Sequence, residues 1–172
     1  MQAELAFSLE ELRKFREKNP LARVVLAGGI FDLLHAGHVK YLNFCKKQGG
    51  LLVVHVGSSN SSKKFKTKEP VIPDNQRIET LRGLRAVDLA YSDDRTHRDL
   101  QLVLALQPDV IVLSKESTSL EEIGALKKAK PGVQIVFNPR IDDGISKSQI
   151  IEKIRKKSLN LKKCSNCSIC LS

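Results

Sequence analysis

Two histidines three residues apart, His35 and His38, stand in the run Gly29-Ile30-Phe31-Asp32-Leu33-Leu34-His35-Ala36-Gly37-His38. The run follows the apolar, β-rich segment Arg23 to Ala27 and leads into a helical pattern from Ala36 to Gln48, closed by Gly49-Gly50. Histidines so spaced share one face of a first helical turn. The N–H groups there lack intrahelical partners, and the helix dipole is positive. Such a turn is an anion site, and two imidazoles on it can donate to one phosphate. Displacement at phosphorus needs charge stabilisation on the equatorial and leaving oxygens more than it needs an enzyme nucleophile. His, Lys and backbone N–H donors are therefore the expected equipment. Either histidine alone could equally cap the helix or face solvent. The combination of strand, glycine turn, Asp32 and both histidines favours phosphoryl chemistry. A zinc site on the pair is a weaker rival, because no further His or Cys of suitable spacing follows in the core and His55 falls in a predicted strand.

The elements that must position these residues are legible around them. Ser8-Leu9-Glu10-Glu11 is a capping-box pattern, followed by Leu9, Leu12 and Phe15 at helical spacing, so a helix is predicted up to about Asn19-Pro20. Arg23 to Ala27, Ala36 to Gln48 and the apolar run Leu51 to Val56 form a βαβ unit. Helical patterns at Asp74 to Leu84, Thr96 to Leu106 and Leu120 to Ala129 then alternate with strand-like runs at Val87 to Tyr91, Asp109 to Leu113 and Val133 to Phe137. A last helix starts near Ser146. This alternation predicts an α/β fold with one Rossmann-like, doubly wound parallel sheet and helices on both faces. Ligands of such sheets bind at the carboxyl ends of the strands, near the switch in strand order. Ser58 to Lys68 reads as a polar, lysine-rich surface loop whose exit is stiffened by Pro70 and Pro73.

Charge and length narrow the classes. The 172 residues suit one domain with an appendage, and 41% hydrophobic content excludes wholesale disorder. Of the net charge of +10, six positive charges (Lys153, Arg155, Lys156, Lys157, Lys162, Lys163) lie from Lys153 onward with no acidic residue among them. The remaining +4 suits an enzyme handling phosphorylated substrates better than a dedicated nucleic-acid binder, so no nucleic-acid partner is expected. No apolar run approaches the roughly 18 to 20 residues of a membrane span, and acidic residues stand where a signal peptide would be basic and then apolar. A cytoplasmic protein without membrane contact is expected. The chain divides into an N-terminal helix (1–20), a main domain (21–157) and a basic, cysteine-bearing, flexible tail (158–172). Cys45 reads as a small core residue. Cys164, Cys167 and Cys170 could wrap a metal, but a closed site normally needs a fourth ligand, so free or redox-active thiols are the preferred reading.

The run GGIFDLLHAGHVKYL resembles the GxFDxxHxGH signature of the cytidylyltransferase-like branch of the nucleotidyltransferase superfamily, and Ile145-Ser146-Lys147-Ser148-Gln149-Ile150-Ile151 resembles its late ISTTxII element. The resemblance extends over about Leu21 to Ile154, through Pro73-Asp74-Asn75-Gln76-Arg77 and Arg85-Ala86-Val87-Asp88. The opening helix resembles the lead-in of heptose 1-phosphate adenylyltransferase domains, with glycerol-3-phosphate cytidylyltransferases and archaeal-type FAD synthetases as further relatives.

That resemblance implies an HUP-type fold and transfer of a nucleoside monophosphate from CTP or ATP to a phosphorylated sugar or polyol, with release of pyrophosphate. Magnesium (Mg2+) and a homodimer are implied with it. On the matching positions, His35, His38 and Lys66 would be catalytic. Gly29, Ile30, Phe31, Asp32, His35, His38, Ser146, Lys147 and Ser148 would bind nucleotide, and Lys66, Lys68 and Arg77 would bind substrates. Asp32 would hold the loop or the metal environment rather than act as a base. Arg77 could equally be an exposed helix residue paired with a carboxylate. Four departures stand against the pattern: Ala27 for a threonine, Ser59 where the second strand usually ends with an aspartate, Leu113 to Ser117 for a glycine- and acid-containing stretch, and Lys147 for a threonine. They leave open CTP against ATP, and also a catalytically silent nucleotide-binding module or an FAD synthetase-like adenylyltransferase.

Overall fold

In the computed structural model the described residues are 8–61, 69–139 and 146–163, with 159–163 described by their backbone only. Five strands, β1 (Val24–Gly29), β2 (Leu51–Gly57), β3 (Leu89–Asp93), β4 (Val110–Leu113) and β5 (Gln134–Phe137), form one sheet in the order β3-β2-β1-β4-β5, every pairing parallel. The helices are α1 (Leu9–Lys18), α2 (Ala36–Lys46), α3 (Asp74–Arg82), α4 (Leu100–Leu106), α5 (Leu120–Ala129) and α6 (Lys147–Lys163).

The strands are apolar along their length because both faces are covered. Leu26, Val53, Tyr91, Ile111 and Leu113 pack with Leu12 of α1, Leu102 and Leu106 of α4 and Leu126 of α5. Val25, Ala27, Val54, Val56 and Val112 pack on the other face with Leu42 and Cys45 of α2 and Ile78 and Leu81 of α3. A doubly wound, all-parallel α/β sheet with helices on both faces is thus the observed architecture. Among the described residues no helix is long and apolar enough to cross a membrane.

The switch in strand order lies between β1 and β4. β1 stays paired with β2 as far as Gly29↔Val56, whereas its pairing with β4 consists of Val25↔Val110 and Leu26↔Ile111. Among the described residues no register pair joins the two strands beyond those two, and ligands of such sheets bind at the carboxyl ends on either side of this switch.

Several boundaries differ from the sequence expectation for local reasons. α4 begins at Leu100 rather than Thr96 because the Asp99 carboxylate accepts the N–H groups of Gln101 (2.9 Å) and Leu102 (3.3 Å), which leaves 94–98 as a loop over the strand ends. β3 begins at Leu89 because Asp88 is a tether, its carboxylate accepting from Leu52 N–H (2.6 Å) and Lys46 Nζ (2.5 Å). Residues 59–61 are helical where a loop was expected, with Ser61 N–H donating to Ser58 Oγ at 3.0 Å. α6, expected to start near Ser146, continues to Lys163 because Lys153 to Lys163 contains neither Gly nor Pro to stop it.

Candidate active site

The loop from β1 to α2 is bent by two non-glycine residues in the left-handed region, Phe31 (φ 52°) and Leu33 (φ 48°). Such conformations persist only where surroundings over-determine them. Between the two lies Asp32, 2% exposed. Its carboxylate accepts the N–H groups of Val71 and Ile72, each at 2.9 Å, and lies 2.5 Å from Lys147 Nζ. Burial pushes the Asp32 carboxyl up, but the Lys147 ammonium and the two N–H donors more than offset it, so it titrates below its ordinary value. Asp32 therefore holds the loop as a carboxylate at neutral pH. The Phe31 ring packs edge-on against His38, with centroids 5.4 Å apart.

Arg77 braces the same loop. Its guanidinium is buried, donating from Nε to Ile72 O (3.0 Å), from Nη1 to Ile30 O and to Gly57 O (2.9 Å), and from Nη2 to Asp74 (2.8 Å). Each of the three guanidinium nitrogens of Arg77, expected to bind substrates, has a partner within the protein. The side chain ties the ends of β1 and β2 to the segment before α3, and it pairs with the Asp74 carboxylate at i,i+3 from a buried position rather than the exposed one expected. Asp74 also accepts the N–H (3.0 Å) and the hydroxyl of Ser59. Asp74 thus ties Ser59 to the first turn of α3.

His35 is the N-cap of α2, its Nδ1 accepting from Gly37 N–H at 3.2 Å, which leaves the ring proton of the neutral form on Nε2. His38 stacks on it with ring centroids 4.0 Å apart and planes at 30°. Burial and the neighbouring His35 depress His38, opposed by Asp32, to a pKa of about 4, so it is a neutral imidazole at pH 7. Its Nδ1 is buried without a hydrogen-bond partner. A bare lone pair is less costly to bury than a bare N–H, so the proton belongs on Nε2. The pair thus offers two N–H donors on one helical turn. The capping reading of His35 is met by Nδ1, and Nε2 is left as the nitrogen on which the anion-site reading depends.

At the start of α6, Ser146 Oγ accepts from Gln149 N–H (3.3 Å) and Gln149 Oε1 accepts from Ser146 N–H (2.7 Å), a reciprocal cap. Lys147, expected to bind nucleotide, spends its charge on Asp32 and thereby brings the α6 terminus to the β1–α2 loop. Ser148 is exposed beside it. Gly29 ends β1, where an added Cβ would meet the Phe31 ring at 3.0 Å, and the Ile30 carbonyl is held by Arg77. Lys66, Lys68, Ile145, Cys164, Cys167 and Cys170 lie outside the described residues.

No group of three or more His, Cys, Asp or Glu able to hold a metal ion occurs among the described residues. Magnesium is ordinarily carried on one or two free carboxylates together with substrate phosphates. Asp32, the carboxylate of the motif loop, is already neutralised by Lys147. The described residues do not fit a protein-held magnesium ion, and no step of the reaction proposed for the site runs through one.

Residues 26–168 match the model of the cytidylyltransferase-like family. Bifunctional protein HldE of Shigella sonnei is 38% identical over 160 residues, 90% of this chain and 31% of that protein. Bifunctional protein HldE of Helicobacter pylori is 36% identical over 151 residues, 86% of this chain and 31% of that one. The chain thus spans less than a third of the length of these relatives. Among solved structures, the lipopolysaccharide core biosynthesis protein of Thermoplasma volcanium superposes with a TM-score of 0.62 at 31% identity, covering 70% of this chain and 99% of its own. Pantoate-β-alanine ligase of Francisella tularensis superposes with a TM-score of 0.54 at 15% identity, covering 88% and 77%, a likeness of fold alone. With the family model matching from β1 through α6 and the histidine pair set on the first turn of α2, this chain belongs to the cytidylyltransferase-like family of nucleotidyltransferases.

Proposed function

We propose that the protein transfers a nucleoside monophosphate from ATP or CTP to the phosphate of a small sugar or polyol phosphate. The observation that carries this reading is the stacked pair His35 and His38 on the α2 terminus, drawn beside the α6 terminus by Asp32 and Lys147. On this reading two helix N-termini and two imidazole N–H groups serve together as the donor set for a triphosphate. An oxygen of the acceptor phosphate forms a bond to the α-phosphorus while the bond from that phosphorus to the α–β bridging oxygen breaks. The electron pair leaves with pyrophosphate. His38, neutral at pH 7, stabilises the developing charge by donating a hydrogen bond rather than by carrying a charge of its own.

A sugar phosphate is the first acceptor to try because the Thermoplasma volcanium relative is described as a lipopolysaccharide core biosynthesis protein. Lys66 and Lys68 are included as phosphate ligands by their place in the motif order, and Ser146 and Ser148 as donors at the α6 terminus. Magnesium accompanying the triphosphate, a homodimer and a cytoplasmic setting belong to the same proposal. A matrix of ATP, CTP, GTP and UTP against sugar phosphates, polyol phosphates and flavin mononucleotide, read by pyrophosphate release, tests it. One productive pair is expected. Nucleotide binding without release from any pair would instead favour a silent nucleotide-binding module.

A further inference from the structure

A cavity of about 240 Å³ lies against the loop that follows β1. Phe31, Leu33 and Leu34 wall it on the loop side, with Ile72 of the segment before α3. Gln76, Arg77 and Thr80, neighbours on one face of α3, complete it. The loop side of this wall is fixed. Phe31 and Leu33 hold left-handed backbone conformations (φ 52° and 48°), and Asp32 between them is anchored to the N–H groups of Val71 and Ile72, each at 2.9 Å. The cavity is therefore largely preformed, as ligand pockets commonly are.

Its lining sets the chemistry of an occupant. Among the described residues that line it, Arg77 alone is ionisable, and each of its three guanidinium nitrogens already has a protein partner. Gln76 supplies an amide. Thr80 supplies a hydroxyl whose proton goes to Gln76 O at 2.7 Å, which leaves its oxygen as an acceptor. The remaining lining residues are apolar. A sugar hydroxylated on every carbon would bury hydroxyls there with few partners, which is costly. A nucleobase suits it poorly for the same reason, because several ring nitrogens and exocyclic groups would share one amide and one hydroxyl oxygen. Benzene fills a dry cavity of about 150 Å³, so this one accommodates a neutral, largely apolar group of one ring or a little more.

The cavity and the histidine turn share the Phe31 ring. It lines the one and packs edge-on against His38 of the other, with centroids 5.4 Å apart, and Leu34 of the lining directly precedes His35. A group in van der Waals contact with Phe31 is thus within roughly 10 Å of the His38 ring. We propose that the cavity receives the uncharged end of the acceptor, and that it selects acceptor phosphates whose carbon skeleton presents an apolar face or end over those hydroxylated throughout. This rests on the nucleotidyl-transfer reading, in which the acceptor phosphate is brought to the histidine pair.

Methyl NMR on the full chain tests this, with benzyl phosphate, glycerol 3-phosphate, benzyl alcohol, ATP and CTP as separate probes. Benzyl phosphate should shift the methyl resonances of Leu33, Leu34, Ile72 and Thr80, and should bind about tenfold more tightly than glycerol 3-phosphate or benzyl alcohol, because it alone joins a ring to a phosphate. Thr80→Trp, which sets an indole across the cavity, should abolish these shifts and leave the melting transition and the affinity for ATP and CTP unchanged. In the pyrophosphate-release assay benzyl phosphate should exceed glycerol 3-phosphate about tenfold in kcat/KM, and Thr80→Trp should remove that preference. Benzyl alcohol binding as tightly as benzyl phosphate would make the cavity a separate site, and ATP or CTP displacing benzyl phosphate from these methyls would assign it to the nucleoside. Either result overturns the inference while leaving nucleotidyl transfer standing, as does a lack of shifts with benzyl phosphate. Absence of pyrophosphate release from the wild-type protein with every acceptor, while benzyl phosphate still shifts the methyls, would instead remove the reading beneath it.

Discussion

Lys147 Nζ lies 2.5 Å from the Oδ2 of Asp32, so the loop that follows the first strand is joined to the first turn of the last helix by a single ion pair. Asp32 is almost fully buried, whereas the Lys147 side chain is 32% exposed. The two partners are therefore unequal. Breaking the pair from the lysine side strands a carboxylate away from water, and breaking it from the aspartate side strands the N–H groups of Val71 and Ile72 as well.

Lys147→Met should destabilise the fold by about 3 kcal/mol, the lower end of what removing one partner of a buried pair costs. Asp32→Ala should cost more, because two backbone donors lose their acceptor together with the charge. Urea titration of both variants checks the order. Equal stability of Lys147→Met and wild type would show that the pair is not formed in solution.

Acid should weaken this junction. The folded Asp32 carboxyl titrates below its ordinary value, so its contribution is fully present above the unfolded value of about 3.9 and is lost as pH falls through the lower folded value. Asp74 and Asp93 are depressed in the same direction: burial raises each, and partners, Ser59 with Arg77 and His55 with Arg95, outweigh it. Thermal melts between pH 7 and pH 3 should show stability falling most steeply below about pH 4. Asp32→Asn should flatten that fall.

His38 makes a separate pH prediction. Its folded pKa of about 4 lies below the unfolded value of about 6.5, so the neutral form is the one favoured by folding. That contribution is present above about pH 6.5 and declines as pH falls toward 4, because the unfolded chain takes up the proton first. Titration of the His38 ring resonances by NMR should place its midpoint near 4. A midpoint near 6.5 would mean that the ring is solvated and that Phe31 and His35 do not pack on it.

Arg77 should behave as a brace. Arg77→Lys keeps the charge but cannot serve Ile30, Gly57, Ile72 and Asp74 at once, and a loss of at least 3 kcal/mol is expected. For a chain of this size that corresponds to a melting temperature lower by roughly 6 to 12 °C. Once activity is established, assays well below that temperature should show a changed kcat with acceptor KM near wild type. A selective rise in acceptor KM with unchanged melting would return Arg77 to the role of substrate ligand.

How much of this was legible before the fold is instructive in its particulars. The five strands could be read because parallel strands covered on both faces are continuous apolar runs, and the histidine pair because strand, glycine turn and helix start are adjacent in the chain. What could not be read were partners distant in sequence. Arg77 looked like a cation on a helix because the carbonyls that consume it come from Ile30 and Gly57. Lys147 looked like a phosphate ligand because nothing local announces that Asp32 faces it. Thr96 looked like a helix start because it precedes an apolar run. Asp99 prevails there since its carboxylate takes two N–H groups, and the loop so released carries His97 onto Gly28.

The central claim is nucleotidyl transfer assisted by the histidine pair. The most direct measurement follows the label from nucleoside triphosphate carrying a radioactive α-phosphorus, incubated with the best acceptor phosphate, in wild type and in His38→Ala. The account predicts that label enters the acceptor one-for-one with pyrophosphate released, and that His38→Ala lowers the rate by about a hundredfold to a thousandfold without lowering the melting temperature by more than a few degrees. Label transfer at the wild-type rate in His38→Ala would contradict it.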